Sequence, residues 1–252
     1  MRASVRALVI AIGFVSLSLT AYARFAPLDA PESRSVVPGT VVLDARGNVL
    51  ERDASAGLRI PTTIDRVAPR MLQATISAED RRFLQHVGVD PVAIARALSS
   101  SSSQPSGAST ITQQLARRLY LSDDSSPLAI RKGHEALIAL QLEANRSKAE
   151  ILQLYLNDVY YGRGAYGVEA AARVYFGIGA ANLDLAHAAY LAGLPQRPSG
   201  FNPYRGRPAA VARQQAVLRR MVSFGLLSPD TGREAAADVH RPSHPLTDRP
   251  VL

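Results

Sequence analysis

Apolar residues recur at every third or fourth position through most of the chain after Pro61, which is the spacing of one face of an α-helix. The pattern predicts helices over residues 71–83, 128–145, about 168–175, 183–194 and about 208–224, with further helices starting at 91, 111 and 148. Three of the helix starts carry capping signals. These are Asp90 with Pro91, Thr110 with Gln113, and Ser147 with Glu150.

Three regions depart from helical spacing. Residues 40–53 alternate apolar and polar side chains around a turn at 46–48, which predicts a β-hairpin. Residues 160–167 are rich in glycine and tyrosine and are expected to form a loop, while residues 99–109 are a serine-rich segment of low complexity. The predicted fold is therefore a mainly α domain with a small N-terminal β-hairpin.

The N-terminus has its own pattern. Arg2 and Arg6 precede an apolar run of 17 residues, Ala7 to Ala23, at the short edge of the length that spans a bilayer. Residues 21–23 also resemble a signal-peptidase site, so a retained anchor and a cleaved signal are alternatives. Both place the rest of the chain outside the cytoplasmic membrane. The predicted organisation is an anchor or signal over 1–23, a linker over 24–39, a folded domain over 40–225 and a tail over 226–252.

Composition narrows the choice of partners. The chain has 252 residues, enough for one large core, and a formal net charge of +8. It contains no cysteine, which excludes disulfides, thiolate catalysis and thiolate metal sites. A basic protein favours anionic partners such as anionic lipid, a phosphorylated substrate or nucleic acid. No helix-turn-helix, zinc-finger or aromatic RNA-binding pattern is present, so nucleic acid is not expected as a partner.

Glu79 falls on the apolar stripe of a predicted helix, at helical spacing from Ile76 and Phe83. Asp80 points about 100° away on the helix and is expected to stay in contact with water. A carboxylate on an apolar stripe is costly unless it is paired or functional. An arginine such as Arg82 would satisfy it. Alternatively, apolar neighbours disfavour its charged form, which makes it a stronger base.

Glu135 occupies a similar position, where a basic cluster meets an apolar stripe. Arg131 and Lys132 precede it by about one turn, and Ala139 follows on the same stripe. One interpretation is an Arg131–Glu135 ion pair on a solvated face, worth about 0.3–0.5 kcal/mol. The other is functional. If Glu79 and Glu135 face one cleft, one carboxyl group can exchange a proton while the other stabilises charge, as glycosyl chemistry requires.

The segment GASTITQQLAR, residues 107–117, combines small and polar residues at a helix start. Free backbone N–H groups and the Ser109 hydroxyl at such a start suit a phosphate. Gln114 and Arg117 lie one turn apart on a polar face, from which the guanidinium can hold an anion bidentately. The alternative is an ordinary capped helix.

Five stretches together resemble the ordered motifs of one family, the peptidoglycan glycosyltransferases of glycosyltransferase family 51. This family comprises the monofunctional transglycosylases and the transglycosylase domains of class A penicillin-binding proteins. The resemblance runs from about Val41 to Met221, in the order and near the spacing of the family. The stretches are EDRRFLQHVG (79–88), GASTITQQLAR (107–117), RKGHEALIALQLE (131–143) with SKAEILQLYLNDVYYG (147–162), GAYGVEAAARVYFG (164–177) and LAGLPQRPSGFNP (191–203).

The resemblance implies a lysozyme-like helical fold of two lobes, the smaller one partly dipping into the membrane. It implies an enzyme that polymerises lipid II into β-1,4-linked glycan strands with inversion and releases undecaprenyl pyrophosphate. The implied partners are lipid II, the growing glycan strand, the membrane and proteins of cell-wall synthesis. No cofactor is expected to be required. A divalent cation, Mg²⁺ or Mn²⁺, at the pyrophosphate is compatible with the family, although no cluster of metal ligands is recognisable in the sequence.

The resemblance also implies residue roles and a location. Glu79 would be the general base that deprotonates the 4-hydroxyl of the incoming lipid II. Glu135 would lie at the donor site and support departure of the pyrophosphate together with Arg131 and Lys132. The domain over 40–225 would be held by a single-pass segment on the periplasmic side of the inner membrane. The donor's phosphates and sugar would be held by Ser109, Gln114 and Arg117.

Two positions depart from the family pattern. Ala108 stands where the motif usually has a second glycine, and Arg117 stands where it usually has lysine, which spreads the charge over a planar fork. No S-x-x-K, S-x-N or K-T-G pattern is present, so a transpeptidase domain is not expected. The chain is then a monofunctional enzyme or a shortened relative of a bifunctional one.

Two rival functions follow from the same fold. A glycan-binding or scaffold relative would have lost the chemistry, but both glutamates and the basic cluster are intact. A lysozyme-like hydrolase would have no need of side chains that hold a pyrophosphate. The polymerase is therefore the favoured interpretation.

Overall fold

The computed structural model describes residues 41–43, 49–52, 57–99, 109–198, 200 and 207–238. The chain divides into two compact units. The described part of the first unit is 83–99 and 109–151, and the remaining described residues form the second. The predicted segment 1–23 and linker 24–39 lie outside the described residues. None of the described helices combines the length and apolar character needed to cross a membrane.

The described elements are mainly helical, as the apolar spacing predicts. The strands are β1 (Val41–Leu43), β2 (Val49–Arg52), β3 (Leu58–Arg59), β4 (Tyr160–Gly162) and β5 (Ala165–Tyr166). The helices are α1 (Pro69–Glu79), α2 (Pro91–Ser99), α3 (Ile111–Tyr120), α4 (Leu128–Asn145), α5 (Lys148–Asp158), α6 (Val168–Phe176), α7 (Leu185–Gly193), α8 (Arg207–Ser223) and α9 (Pro229–Ala237). Short 3₁₀ turns cover Ile64–Arg66, Phe83–Gln85 and Ala180–Asn182.

In the first unit, α3 packs against α4. Ile111 and Leu115 on α3, and Ala139 and Leu142 on α4, are buried because they recur at helical spacing on the facing stripes. The capping signals predicted for this unit are all formed. Asp90 accepts hydrogen bonds from the first turn of α2, and α3 and α5 begin with complete capping boxes.

The second unit is built on α1, α7 and α8, which pack against one another. Strands β1 and β2 pair antiparallel, which confirms the predicted hairpin. The expectation of a loop over 160–167 is wrong, because β4 and β5 form there and β5 pairs in parallel with β3. Gly167 has φ of +84°, and a Cβ there would lie 2.7 Å from the Asn157 carbonyl oxygen. Only glycine therefore fits between this sheet and α6.

Two helix predictions need correction. Helix α1 ends at Glu79, whereas the spacing predicted a helix to residue 83. Asp80 has φ of −154° and ψ of 81°, outside the helical region, and the helix ends there. Asp80 is also buried, not wetted. Helix α9 lies within the predicted tail, where the short alanine-rich segment gave too weak an apolar pattern to predict it.

Candidate active site

Glu79 is the last residue of α1 in the second unit. Because the helix ends there, Glu79 and Phe83 do not share one helical stripe as the sequence predicted. The Glu79 side chain is nevertheless only 11% exposed. Its Oε1 atom lies 3.9 Å from Nη2 of Arg213 on α8, whose side chain is equally buried. Glu79 is thus a largely buried carboxylate with a loose ion pair.

Arg213 links the ends of two helices. Its Nε donates a hydrogen bond to the Gly193 carbonyl, the last of α7, over 3.3 Å. Gly193 is required at this position because a Cβ would lie 2.8 Å from Cγ of Arg213. Burial lowers the pKa of the Arg213 guanidinium; the Glu79 carboxylate opposes this shift, and Arg220 adds to it.

Arg220 lies two turns after Arg213 on α8 and donates to the Ala78 carbonyl over 2.6 Å. A cation at the carbonyl end of a helix satisfies an unpaired acceptor and opposes the helix dipole. Sequence reasoning missed both arginines. The sequence did contain a signal for them. Arg213 and Arg220 have helical spacing from the buried Val217, so both arginines lie on the face of α8 that packs against the core.

Glu135 lies in the middle of α4 in the first unit and is fully buried. Lys132 Nζ donates to Glu135 Oε2 over 2.5 Å and to Ser109 Oγ over 3.0 Å. The Lys132 side chain remains 41% exposed. The structure therefore brings together three of the predicted residues, which we call the Ser109–Lys132–Glu135 cluster.

The interpretation of Glu135 as half of an exposed pair with Arg131 is wrong. The glutamate side chain is 1% exposed, and its partner is Lys132 at i−3. Within the described residues, Glu135 Oε1 and Arg131 Nε are both buried without a hydrogen-bond partner. A buried polar atom of this kind is costly unless something else satisfies it. The region around Glu135 thus contains a hydrogen-bond acceptor, Glu135 Oε1, and a hydrogen-bond donor, Arg131 Nε, that the described residues do not satisfy.

The start of α3 is held rigidly beside Ser109. Thr110 Oγ1 accepts from the Gln113 N–H, and Gln113 Oε1 accepts from the Thr110 N–H, each over 3.0 Å. Thr110 Oγ1 also donates to the Gly88 carbonyl over 2.6 Å. Further along α3, Gln114 is half-buried and Arg117 is exposed.

The chemistry available differs between the units. The first unit offers a partly exposed ammonium fixed by a buried carboxylate, which suits an anion. The second unit offers a largely buried carboxylate able to exchange a proton. Across the part of the chain that the structure describes, no group of three or more histidine, aspartate or glutamate side chains could hold a metal ion.

The comparisons with known proteins define the class. The model of the transglycosylase family matches residues 46–222, and the chain belongs to this family. This confirms the resemblance drawn from the five motifs.

Three similar curated relatives are each much longer than this chain. It is 49% identical over 173 residues to penicillin-binding protein 1A of Escherichia coli (strain K12), covering 68% of this chain and 20% of the relative. It is 40% identical over 209 residues to penicillin-binding protein 1A of Aquifex aeolicus (strain VF5), covering 81% and 28%. It is 40% identical over 225 residues to penicillin-binding protein 2D of Bacillus subtilis (strain 168), covering 88% and 32%. The chain thus spans a third or less of the length of these relatives.

Proposed function

We propose that this chain is a peptidoglycan glycosyltransferase of cell-wall synthesis, which polymerises lipid II into β-1,4-linked glycan strands. Membership of the transglycosylase family supports the reaction class. The observation that carries the proposal is the Ser109–Lys132–Glu135 cluster. Its partly exposed ammonium is fixed by a buried carboxylate and a hydroxyl. Preorganised positive charge of this kind stabilises a leaving pyrophosphate without reorganisation during the reaction.

The proposed step is a direct displacement. The 4-hydroxyl oxygen of the incoming lipid II forms a bond to the anomeric carbon of the donor, and its proton passes to Glu79. The bond from that carbon to the pyrophosphate oxygen breaks, and its electron pair leaves with undecaprenyl pyrophosphate. Attack opposite an α-linked leaving group yields the β product, so inversion requires no covalent sugar–enzyme intermediate.

The donor-side roles fall to residues of the first unit. Glu135 keeps Lys132 in place, and Arg131 adds a second cation to support departure of the pyrophosphate. The phosphates and sugar of the donor are assigned to Ser109, Gln114 and Arg117. With Arg117 in place of the usual lysine, a planar guanidinium fork replaces a point charge at that position.

The proposal includes the inner membrane, with the domain on its extracytoplasmic side. Lipid II carries a long hydrocarbon chain that stays in the bilayer. Exposed large apolar side chains in the first unit support contact with that bilayer, because the transfer of apolar surface from water into lipid is favourable. They are Leu84, Val87, Val92, Ile94, Leu128 and Ile130.

The test is conversion of labelled lipid II by the purified protein in detergent, with products separated on gels before and after muramidase digestion. The wild type is expected to make a muramidase-sensitive ladder. Glu79→Gln should lower the rate by about 10²–10⁴-fold, the usual contribution of a general base. Glu150→Gln, which alters an exposed carboxylate at the start of α5, is the matched control and should keep the wild-type rate.

The outcomes separate the rival functions. No ladder from folded wild type, across detergents and with Mg²⁺ or Mn²⁺ added, would favour a scaffold role and overturn the proposal. Cleavage of preformed glycan would favour a hydrolase. A ladder that survives Glu79→Gln would remove Glu79 from the role of base.

A further inference from the structure

A second polar network lies in the first unit, and it is centred on the ion pair between Glu143 and Lys148. Lys148 Nζ lies 2.7 Å from Glu143 Oε1. The same carboxylate oxygen accepts from Thr112 Oγ1 over 2.6 Å, and Thr112 is fully buried. Glu143 therefore joins three helices, α3, α4 and α5, by charge-assisted hydrogen bonds.

Lys148 also reaches residues 83–88, the segment before α2. Its ammonium donates to the His86 carbonyl over 2.6 Å and lies 4.5 Å from the centre of the Phe83 ring. An ammonium has three donors and no preferred plane, so it can meet a carboxylate, a carbonyl and a ring face together. The planar guanidinium of arginine does not reproduce this arrangement.

The same segment lies against the helices that carry the Ser109–Lys132–Glu135 cluster. The Gly88 carbonyl accepts from Thr110, which follows Ser109. Gly88 has φ of +97°, and a Cβ there would lie 2.7 Å from the Ala139 carbonyl oxygen, one turn after Glu135 on α4. Residues 86–88 therefore act as a spacer between the start of α3 and the middle of α4.

We propose that Lys148, together with Glu143, is a positioning residue for the Ser109–Lys132–Glu135 cluster. By holding the spacer through the His86 carbonyl, Lys148 sets the 3.0 Å hydrogen bond between Lys132 Nζ and Ser109 Oγ. Lys148 acts through these groups and contacts no substrate. This proposal rests on the proposed function in one respect. The proposed function identifies the anion held by the cluster as the donor pyrophosphate.

The first test needs no activity. The chain has two lysines, Lys132 and Lys148. In Lys148→Met the remaining side-chain amine is therefore Lys132, whose acylation by acetic anhydride can be followed by mass spectrometry. Its rate should rise roughly threefold or more, because a loosened hydrogen bond to Ser109 frees the amine to react.

The matched control is Arg59→Met in the second unit. Arg59 also pairs with a carboxylate, Asp158 at 3.3 Å, and lies 4.1 Å from the Tyr166 ring centre. Its loss removes a comparable cation, so it controls for general destabilisation. In Arg59→Met the acylation rate of Lys132 should equal that of the wild type.

The second test is a double-mutant cycle on polymerisation of lipid II. Lys148→Met should lower kcat/KM about tenfold in the wild type but less than about twofold in Ser109→Ala, because coupled residues are not additive. Should Lys148→Met fail to fold, Lys148→Arg replaces it with the same expected coupling. In that case the acylation test uses Lys132 in Lys148→Arg.

The outcomes distinguish the two proposals. If Lys148→Met lowers kcat/KM by the same factor in the wild type and in Ser109→Ala, and the acylation rate of Lys132 is unchanged, Lys148 is not a positioning residue. Its role is then structural. A wild type that makes no glycan would overturn the proposed function. The acylation result would then still show whether Lys148 sets the geometry of Lys132.

Discussion

The two candidate carboxylates lie in different units and are held in different ways. Glu135 is in mid-helix, 1% exposed, with a lysine at 2.5 Å. Glu79 ends its helix, is 11% exposed, and has its arginine at 3.9 Å. Both are protected from water, so burial alone does not separate them. The distance from the carboxylate oxygen to the cation does distinguish them, at 2.5 Å for Glu135 and 3.9 Å for Glu79.

The difference suits two kinds of work. A short contact between a buried carboxylate and an ammonium keeps the ammonium in one place. A looser pair still favours charge but leaves the carboxylate free to accept a proton from a substrate hydroxyl. The two roles proposed for Glu79 and Glu135 would follow from this difference in surroundings. The first two of the three predictions that follow test this contrast.

The largest expected contrast is in stability. Glu135→Gln should lower the free energy of unfolding by about 1–3 kcal/mol, because it removes the charged partner of a half-buried ammonium. Glu79→Gln should lower it less, because the 3.9 Å between Glu79 and Arg213 is too long for a hydrogen bond. Urea denaturation followed by circular dichroism measures both. Equal losses for the two variants would contradict the contrast.

A smaller effect is expected from Arg213→Met. Removing a cation near Glu79 disfavours its ionised form, so the acidic limb of the kcat/KM profile should move to higher pH. The profile is measured with lipid II between pH 5 and pH 9. Arg173→Met, which removes an exposed arginine from its pair with the buried Glu169, is the control and should leave the limb in place. If the acidic limb does not move in Arg213→Met, this arginine does not influence the group that titrates in that limb.

The smallest effect is expected at a partly buried carboxylate of the first unit, Asp124. Hydrogen bonds from Ser126, and then from His134, hold the pKa of Asp124 down from 3.8 to about 2. The stabilisation by this group is therefore present above pH 3.8 and is lost as the pH falls through about 2. The difference in urea midpoint between wild type and Asp124→Asn should shrink over that range. A constant difference down to pH 2 would show that the hydrogen bonds do not depend on the charge.

Local signals predicted much of the fold. Helix α4 has the predicted bounds 128–145, and the capping boxes at Thr110 and Ser147 form as expected. These features depend on residues three or four positions apart, which the sequence displays directly. The Ser109–Lys132–Glu135 cluster was within the predicted set, because its members were visible as a basic cluster, a helix start and a misplaced carboxylate.

Features that depend on distant partners were missed. The partner of Glu79 is Arg213, on a helix far along the chain, and no local pattern joins them. Strand β5 pairs with β3 from far earlier in the chain as well as with β4, and no local pattern shows that distant pairing, so the glycine-rich segment looked like a loop. The partner of Glu135 was misjudged because Lys132 and Arg131 have almost equal spacing, and the choice depends on Ser109.

The division of the chain has a consequence for the order in which the protein forms. The described part of the first unit comes from one continuous region, 83–151, while the second unit draws on residues before and after it. During synthesis from the N-terminus, β3 and α1 are made before their packing partners β5, α7 and α8. In contrast, α3 and α4 are close in sequence and can pack soon after they are made. Contacts distant in sequence form late. A pause in synthesis near residue 151 would therefore leave a half-made second unit with an unpaired strand and exposed helix faces, the state most open to aggregation.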